Sequence, residues 1–306
     1  MQEDGSRRAI VAAFVANLGI AVAKFVAFLI TAAASMLAEA VHSLADTGNQ
    51  GLLILGAARA KQKATHEHPF GFGRERYFWA FVVALVLFSL GSIFAIHQGI
   101  DKLRHPHELV SPVVAIGILA FAIALEIWSF RTAIVAAQAV RGSKSWWSFI
   151  RRSKSPELPV VLLEDLGALL GLVIALTGVS LSAVFDDPRF DAIGSIAIGA
   201  LLGVIAIVLA IEMKSLLIGE SAAKEIQSAI RTTIEGSPSV RKLIHMRTLH
   251  LGPDELLVAV KVEFDASLDI PGLASAIDDL ESAIRQQTPT ARVIYVEPDV
   301  VRSTSA

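Results

Sequence analysis

The hydrophobic positions of this chain fall into six long runs separated by short polar and charged segments. Each run has about 20 residues or more, which is the length that a helix needs to cross the hydrocarbon core of a bilayer. The fourth run is long enough for its helix to project beyond the bilayer. The pattern therefore predicts six membrane-spanning helices, over residues 9–30, 35–58, 77–98, 111–140, 157–184 and 190–213.

After Lys214 the pattern changes from long apolar runs to short amphipathic segments. Two segments with helical periodicity and three with strand character follow in the order α-β-β-α-β, which is typical of a compact α+β domain. We therefore expect an α-helical membrane protein of six transmembrane helices, followed by a small cytoplasmic α+β domain. The predicted boundary places the membrane domain at 1–213 and a cytoplasmic dimerisation domain at 214–306.

The composition supports a membrane protein, because 54% of the residues are hydrophobic, 18% are charged and the mean hydropathy is +0.59. The net charge of −2 gives no indication of a nucleic-acid partner. The sequence contains no cysteine, which excludes disulfides and thiolate metal sites within it. Any metal ion must be held by histidine, carboxylate or backbone groups.

Lysine and arginine are concentrated in alternate loops, which predicts the orientation of the chain in the membrane. Basic residues are frequent before the first run, between the second and third, and between the fourth and fifth, whereas the opposite side carries only Lys102, Arg104 and Arg189. Both termini and the α+β domain are therefore expected in the cytoplasm. The basic, aromatic segment RGSKSWWSFIRRSKS lies between two spans, so we interpret it as an interfacial anchor rather than a nucleic-acid contact.

The second run contains His42 and Asp46, four positions apart. On a helix these side chains lie one above the other on the same face. Ionisable groups are costly at bilayer depth and often mark ion or proton pathways. An imidazole and a carboxylate are also ligands that first-row divalent metals accept. The alternative is a polar pair that holds helices together.

The fifth run contains the adjacent carboxylates Glu164 and Asp165. Neighbouring helix positions differ by about 100°, so at most one of them faces a given partner well. If Asp165 faces His42 and Asp46, three metal ligands converge from two helices. A tetrahedral zinc site needs a fourth ligand, for which Glu164, Asn49 and water are the candidates. If both carboxylates are interfacial charges, no such site exists.

Four other charged residues within the runs are expected to be structural. Lys24 is expected to lie along apolar surface and to snorkel or pair locally, although it can also reach toward Asp46. Glu126 and Arg131 are interpreted as a structural pair or as interface charges. Asp191 opens the sixth span, where an acidic residue complements the helix dipole.

Three motifs, AEAVHSLADTGNQ, HPFGFGRERYFW and KSLLIGESA, together with six spans and an α+β tail, resemble the cation diffusion facilitators. This is the zinc-transporter family of divalent-metal/proton antiporters, and the resemblance covers nearly the whole chain. It implies that His42 and Asp46 are the ligand pair of the second span and that Asp165 is the aspartate of the fifth. Val161 occupies the position of the family's fifth-span histidine. A Glu-Asp pair such as Glu164 and Asp165 occurs in a subgroup resembling the mitochondrial zinc-transporter-like proteins.

The family's accessory metal sites match less well. In the loop between the second and third spans, His68 is retained whereas Thr65 and Phe72 replace other ligands, so only a weak secondary site is expected there. In the tail, the positions that hold histidines in the family are occupied by Ile244, Lys261 and Val296. The resemblance therefore implies a tail that dimerises without metal.

From these residues we expect a divalent metal cation/proton antiporter that exports Zn²⁺, or Fe²⁺, Co²⁺ or Mn²⁺, from the cytoplasm by alternating access. Asp46 and Asp165 would offset the charge of the ion, and the nitrogen of His42 favours zinc over magnesium or calcium. Because metal ligands must be deprotonated, a histidine that titrates near neutral pH can exchange a metal ion for protons. No cofactor is expected beyond the transported cation.

The expected partners are a second copy of the chain, the metal ion and protons as substrates, and the lipid bilayer, with no nucleic acid. The expected location is a bacterial inner membrane, with several passes. One alternative is a non-transporting partner subunit of a heterodimeric metal transporter. An enzyme is not expected, because an intramembrane metalloprotease would need a motif such as His-Glu-x-x-His, which the sequence lacks.

Overall fold

The computed structural model describes residues 18–31, 34–106, 111–143 and 145–300. These residues form ten α-helices, one π-helical segment and a sheet of three strands. In chain order the elements are α1 (Leu18–Thr31), α2 (Ala34–Arg59), α3 (Glu75–Val86), the π segment (Leu87–Ile93), α4 (Phe94–Arg104), α5 (Pro112–Arg141), α6 (Trp146–Arg152), α7 (Glu157–Phe185), α8 (Arg189–Ile218), α9 (Lys224–Glu235), β1 (Val240–Gly252), β2 (Glu255–Phe264), α10 (Ile270–Gln287) and β3 (Ala291–Pro298).

Four helical rods in the described residues are long and apolar enough to cross a membrane. They are α5, α7, α8 and the continuous rod Glu75–Arg104, which joins α3, the π segment and α4. Each has 29 or 30 residues, or about 45 Å of helix, against a hydrocarbon core of about 30 Å. The first two predicted spans correspond to α1 and α2, although residues 9–17 of the first lie outside the described residues. The number of six spans stays a prediction.

The rod Glu75–Arg104 packs closely on α8 because glycines face the contact. A Cβ atom on Gly99 would lie 2.6 Å from the carbonyl oxygen of Ala192, and one on Gly199 would lie 2.7 Å from that of Ser92. The Lys102 ammonium donates to Asp191 Oδ2 at 3.0 Å, and both side chains are buried. Asp191 therefore neutralises a buried lysine on the neighbouring rod.

The helices α5 and α7 also pack against each other, and the short helix α6 between them is attached to both. Phe149 of α6 is buried with Ala133 and Ala137 of α5 and Leu162 of α7. The side chain of Val161 packs against the same cluster. This apolar contact fixes the rotation of α7 relative to α5, and with it the direction in which the carboxylates of α7 point.

The chain divides into two compact units, of which the first contains the described residues up to Ala57 and Tyr77–Lys214. The second contains Ala58–Arg76 and the chain from Ser215 onward. Its sheet has the order β1-β2-β3, with β1 antiparallel and β3 parallel to β2. Alternate residues of β2 are buried against α9 and α10. The small α-β-β-α-β tail predicted from the sequence is confirmed.

The segment Ala58–Arg76, which contains the α2–α3 loop, is part of this second unit. A Cβ on Gly73 would lie 2.7 Å from the carbonyl oxygen of Leu251, and one on Gly252 would lie 2.9 Å from the Cα of Gly73. Arg76 pairs with Asp254 in the β1–β2 turn at 2.9 Å. The loop therefore packs backbone to backbone on the end of the β1–β2 hairpin.

Candidate metal site

The pair His42 and Asp46 lies on one face of α2, as its spacing predicts. The Nε2 atom of His42 is 3.5 Å from Asp46 Oδ2, with side-chain exposures of 0% and 13%. Neither ring nitrogen of His42, nor Asp46 Oδ1, has a hydrogen-bond partner among the described residues. Buried polar atoms are nearly always satisfied, so an imidazole with two unbonded nitrogens requires a functional explanation.

The two carboxylates of α7 are both buried but have different partners. Asn49 of α2 donates its Nδ2 to Glu164 Oε1 at 2.7 Å, while Asn49 Oδ1 accepts no hydrogen bond from the residues described. Positions 42, 46 and 49 lie within about 60° of one another around a helix, so Asn49 shares the face of the His42–Asp46 pair. The hydrogen bond therefore joins Glu164 to the candidate metal-binding face of α2.

Asp165 points toward α5, where Ser129 Oγ donates to its Oδ2 at 3.4 Å. Glu126, one turn earlier on α5, is buried, whereas Arg131 is exposed. The two positions are about 140° apart around the helix, so Glu126 and Arg131 occupy different faces. A third helix thus supplies polar side chains to the site.

Four charged groups act on Asp46 electrostatically: Glu164, Glu126, Lys24 and Asp165. The ammonium of Lys24 is buried and donates to Ser43 Oγ at 2.7 Å, in keeping with the local pairing expected for it. Sequence reasoning did not assign Glu126 and Ser129 to the site. Glu126 and Ser129 are three positions apart on an otherwise apolar span, which places them on one face of α5. The helix that this face contacts could not be identified from the sequence.

The structure brings the predicted ligands together in pairs and not in one cluster. His42 adjoins Asp46, Asn49 adjoins Glu164, and Asp165 adjoins Ser129. Within the described ranges, no three histidine, aspartate or glutamate side chains lie close enough together to hold a metal ion. In this arrangement, binding of an ion by three or four of these groups would require their side chains to rearrange.

The weak secondary site expected at His68 lies on the α2–α3 loop. The His68 ring stacks on Phe72 with 4.6 Å between ring centroids, and its backbone N–H donates to Thr65 Oγ1 at 3.1 Å. These contacts fix the position of His68 within the loop. A metal-binding role for His68 stays a prediction.

In the tail, Lys261 lies at the centre of a row of polar side chains across the sheet. It is paired in register with His245 of β1 and Glu297 of β3. Its Nζ lies 3.0 Å from Glu297 Oε1 and 3.1 Å from Asp299 Oδ2. The hydrogen bonds that Lys261 donates to Glu297 and to Asp299 raise the pKa of Lys261. Two carboxylates that could attract a cation therefore already hold an ammonium group.

Comparison with known proteins identifies similar chains in animals, plants and bacteria. The chain is 33% identical over 247 residues to the human "Proton-coupled zinc antiporter SLC30A9, mitochondrial", an alignment that covers 79% of this chain and 43% of that protein. It is 27% identical to "Metal tolerance protein C4" of Arabidopsis thaliana, over 88% of this chain and 59% of that protein. The chain thus spans less than two thirds of the length of these relatives.

A bacterial relative matches over more of its own length. The "Cation-efflux pump FieF" of Pectobacterium atrosepticum is 26% identical, over 95% of this chain and 92% of that protein. The profile of the cation efflux transmembrane domain matches residues 10–218, which include α1 to α8. The relatives are transporters of metal cations and not enzymes. Since this profile covers more than half of the sequence, the chain belongs to the cation efflux family, the cation diffusion facilitators, and is a multi-pass integral membrane protein.

Proposed function

We propose that this chain is a divalent metal cation/proton antiporter that exports Zn²⁺ from the cytoplasm by alternating access. The substrate ion is bound by His42, Asp46 and Asp165, with Glu164 as the fourth ligand. The observation that carries the proposal is the fully buried imidazole of His42, which lies beside Asp46 and makes no hydrogen bond to a described residue at either nitrogen. The names of the relatives, which include a zinc antiporter and a cation-efflux pump, support it.

The charges around the site favour a divalent cation. Asp46, Glu126, Glu164 and Asp165 are buried or largely buried carboxyl groups, and Lys24 is the one cation that acts on Asp46 among the described residues. Burial of unpaired charges is costly, so these carboxyl groups must be neutralised by protons or by a bound cation. A metal ion that enters displaces protons, because its ligands must be deprotonated. This competition links metal movement in one direction to proton movement in the other.

The arrangement into pairs is consistent with an alternating-access cycle. Metal binding would gather the side chains of His42, Asp46 and Asp165 around the ion, and would turn the second oxygen of Glu164 toward it while Asn49 stays bonded to the first. Release of the ion would restore the pairs. The nitrogen ligand favours zinc over magnesium and calcium as the transported ion. Fe²⁺, Co²⁺ and Mn²⁺ are the competing ions to test.

The proposal includes an assembly and a location. Six spans follow from the six long apolar runs, and the position of both termini in the cytoplasm follows from the distribution of basic residues. A bacterial inner membrane is the proposed host. The protein acts as a homodimer whose tail contributes to the contact between protomers. It needs no cofactor beyond the transported cation.

The test is zinc uptake by the purified protein in inside-out proteoliposomes with an imposed pH gradient. His42→Ala, Asp46→Ala and Asp165→Ala should abolish uptake while leaving the protein folded and dimeric. The matched control is Ser195→Ala, which removes a buried hydroxyl that donates to Ala95 on a helix outside the site. It should transport zinc normally.

Three outcomes would contradict the proposal in different ways. Normal transport by Asp165→Ala would show that the site is misassigned. Flux that is independent of the pH gradient would indicate a channel or uniporter. If the wild-type protein alone does not transport zinc but forms an active complex with a related chain, it is a non-transporting partner subunit. The replacement of the family histidine by Val161 favours this alternative.

A further inference from the structure

The segment between α5 and α7, residues 141–154, forms a surface that the transport site does not use. We call its described residues the α6 belt. Its short helix is capped at the N-terminus by Ser145, whose Oγ accepts a hydrogen bond from the N–H of Ser148 at 3.2 Å. Phe149 is buried against α5 and α7. The belt is therefore attached to two of the long apolar helices through a defined apolar contact.

Two tryptophans place the α6 belt at the boundary between lipid and water. Trp146 and Trp147 are 38% and 57% exposed, although their neighbour Phe149 is buried. The belt follows the end of α5, whose 30 residues form about 45 Å of helix, longer than a hydrocarbon core of about 30 Å. A spanning α5 thus ends in the headgroup region, where tryptophan side chains are enriched.

The cationic groups of the belt lie beside these indole rings. The guanidinium carbon of Arg141 is 4.4 Å from the ring centroid of Trp146, and that of Arg151 is 5.9 Å from the ring of Trp147. Arg151 also pairs with Glu212 at 3.0 Å. Arg152 is exposed and has no ion pair with any residue that the structure describes. Its guanidinium is thus available to a ligand from outside the chain.

The sequence of the belt makes it cationic throughout. Residues 141–154 contain no aspartate or glutamate, and they carry Lys144, which lies outside the described residues, and Lys154 besides the three arginines. A guanidinium binds phosphate oxygens through two parallel hydrogen bonds. Basic residues near a membrane surface are attracted to anionic lipids. The geometry joins phosphate-binding groups with interfacial aromatic rings on one short segment.

We propose that the α6 belt binds the phosphate groups of anionic phospholipids, with Arg152 as the principal free contact and Trp147 inserted beside the headgroups. A lipid surface fits better than a nucleic acid because the belt is bounded by two apolar helices and presents its indole rings next to its cations. The proposal is independent of the transport function.

The test is quenching of tryptophan fluorescence in the full-length protein by brominated lipids. The protein is reconstituted in vesicles that contain brominated phosphatidylglycerol or brominated phosphatidylcholine. The wild type should be quenched preferentially by phosphatidylglycerol, and Trp147→Phe should reduce that preference. Arg152→Gln should lower the preference about fivefold, the effect of one basic residue near a surface. Arg189→Gln, which removes an exposed arginine at the start of α8, is the matched control and should leave it unchanged.

Each alternative outcome overturns the proposal. Equal quenching of the wild type by the two lipids would show that the belt has no preference for anionic headgroups. If the preference for brominated phosphatidylglycerol is as strong in Arg152→Gln as in Arg189→Gln, Arg152 is not the contact. If the detergent-solubilised protein binds a labelled oligonucleotide and Arg152→Gln abolishes that binding, the partner is a nucleic acid instead.

Discussion

The hydrogen bond from Asn49 to Glu164 gives a direct test of whether Glu164 is the fourth ligand. The Asn49→Ala substitution removes the donor at 2.7 Å and leaves the Glu164 carboxyl group buried without it. A hydrogen bond to a charged group contributes about 1.5–3 kcal/mol. Loss of a group that orients a metal ligand typically lowers metal affinity about 10–100-fold, which corresponds to about 1.4–2.7 kcal/mol. The two estimates agree, so we expect a loss of about 10–100-fold in zinc affinity.

The assay is calorimetric titration of zinc into the purified full-length protein. Asn49→Asp separates two roles of Asn49, because it keeps an oxygen ligand but cannot donate to Glu164. If Asn49 orients Glu164, both substitutions weaken binding; if Asn49 Oδ1 is itself a ligand, Asn49→Asp binds zinc more tightly. Ser195→Ala, which loses a comparable buried hydrogen bond outside the site, should bind zinc as the wild type does.

The coupling between the two residues provides the decisive comparison. In a protein that already carries Glu164→Gln, the further substitution Asn49→Ala should cost little additional zinc affinity, because the oriented ligand is gone. If the folded Asn49→Ala variant binds zinc within about twofold of the wild-type affinity, Asn49 does not orient a fourth ligand. Glu164 without help from Asn49, and water, would then remain as candidates for the fourth ligand.

Three further predictions concern structure and stability. Asp191→Ala should lower the free energy of unfolding in detergent by about 3–5 kcal/mol, because it leaves Lys102 buried beside no carboxylate. The double substitution Lys102→Met, Asp191→Leu should recover most of that free energy. Equal losses of stability in the single and the double variant would contradict a buried pair. Gly73→Ala should destabilise the second unit by about 1–3 kcal/mol, because its Cβ meets the backbone of Leu251, whereas Gly117→Ala, where the space is open, should not. Lys261→Met should lower the unfolding midpoint equally at about pH 6 and about pH 9. The reason is that a lysine whose pKa is raised in the folded state stabilises fully below its unfolded pKa of about 10.4 and loses that effect only above it. A difference in midpoint between wild type and variant that disappears by pH 9 would refute this.

The sequence alone predicted the elements of this fold because their signals are local. Apolar runs of spanning length marked α5, α7 and α8, and the change from a period of 3.6 to a period of 2 marked the strands of the tail. The spacing of His42 and Asp46 predicted their shared face in the same way. Each of these predictions depends on residues that are neighbours in the chain or lie within one or two helical turns.

The contacts that complete the site are between residues distant in sequence, and no local signal predicts them. Asn49 and Glu164 are 115 positions apart, and Ser129 and Asp165 are 36 apart. Glu126 was interpreted as part of a structural pair with Arg131 or as an interface charge, because the face of α5 that packs on α7 was unknown. The packing of the α2–α3 loop on the β1–β2 hairpin depends on Gly73 and Gly252, whose missing side chains carry no information about their partner.

The polar groups of α2 explain how one helix can serve both stability and transport. Ser43 accepts from Lys24 of α1 and Asn49 donates to Glu164 of α7, so these two residues tie α2 to its neighbours. Next to them, His42 and Asp46 keep unbonded atoms within the described part of the chain. An unsatisfied buried polar atom costs about 1–3 kcal/mol, and functional sites are where such costs persist. In this arrangement the stabilising hydrogen bonds are made by neighbours of the binding pair, and the binding pair keeps its lone pairs for the ion.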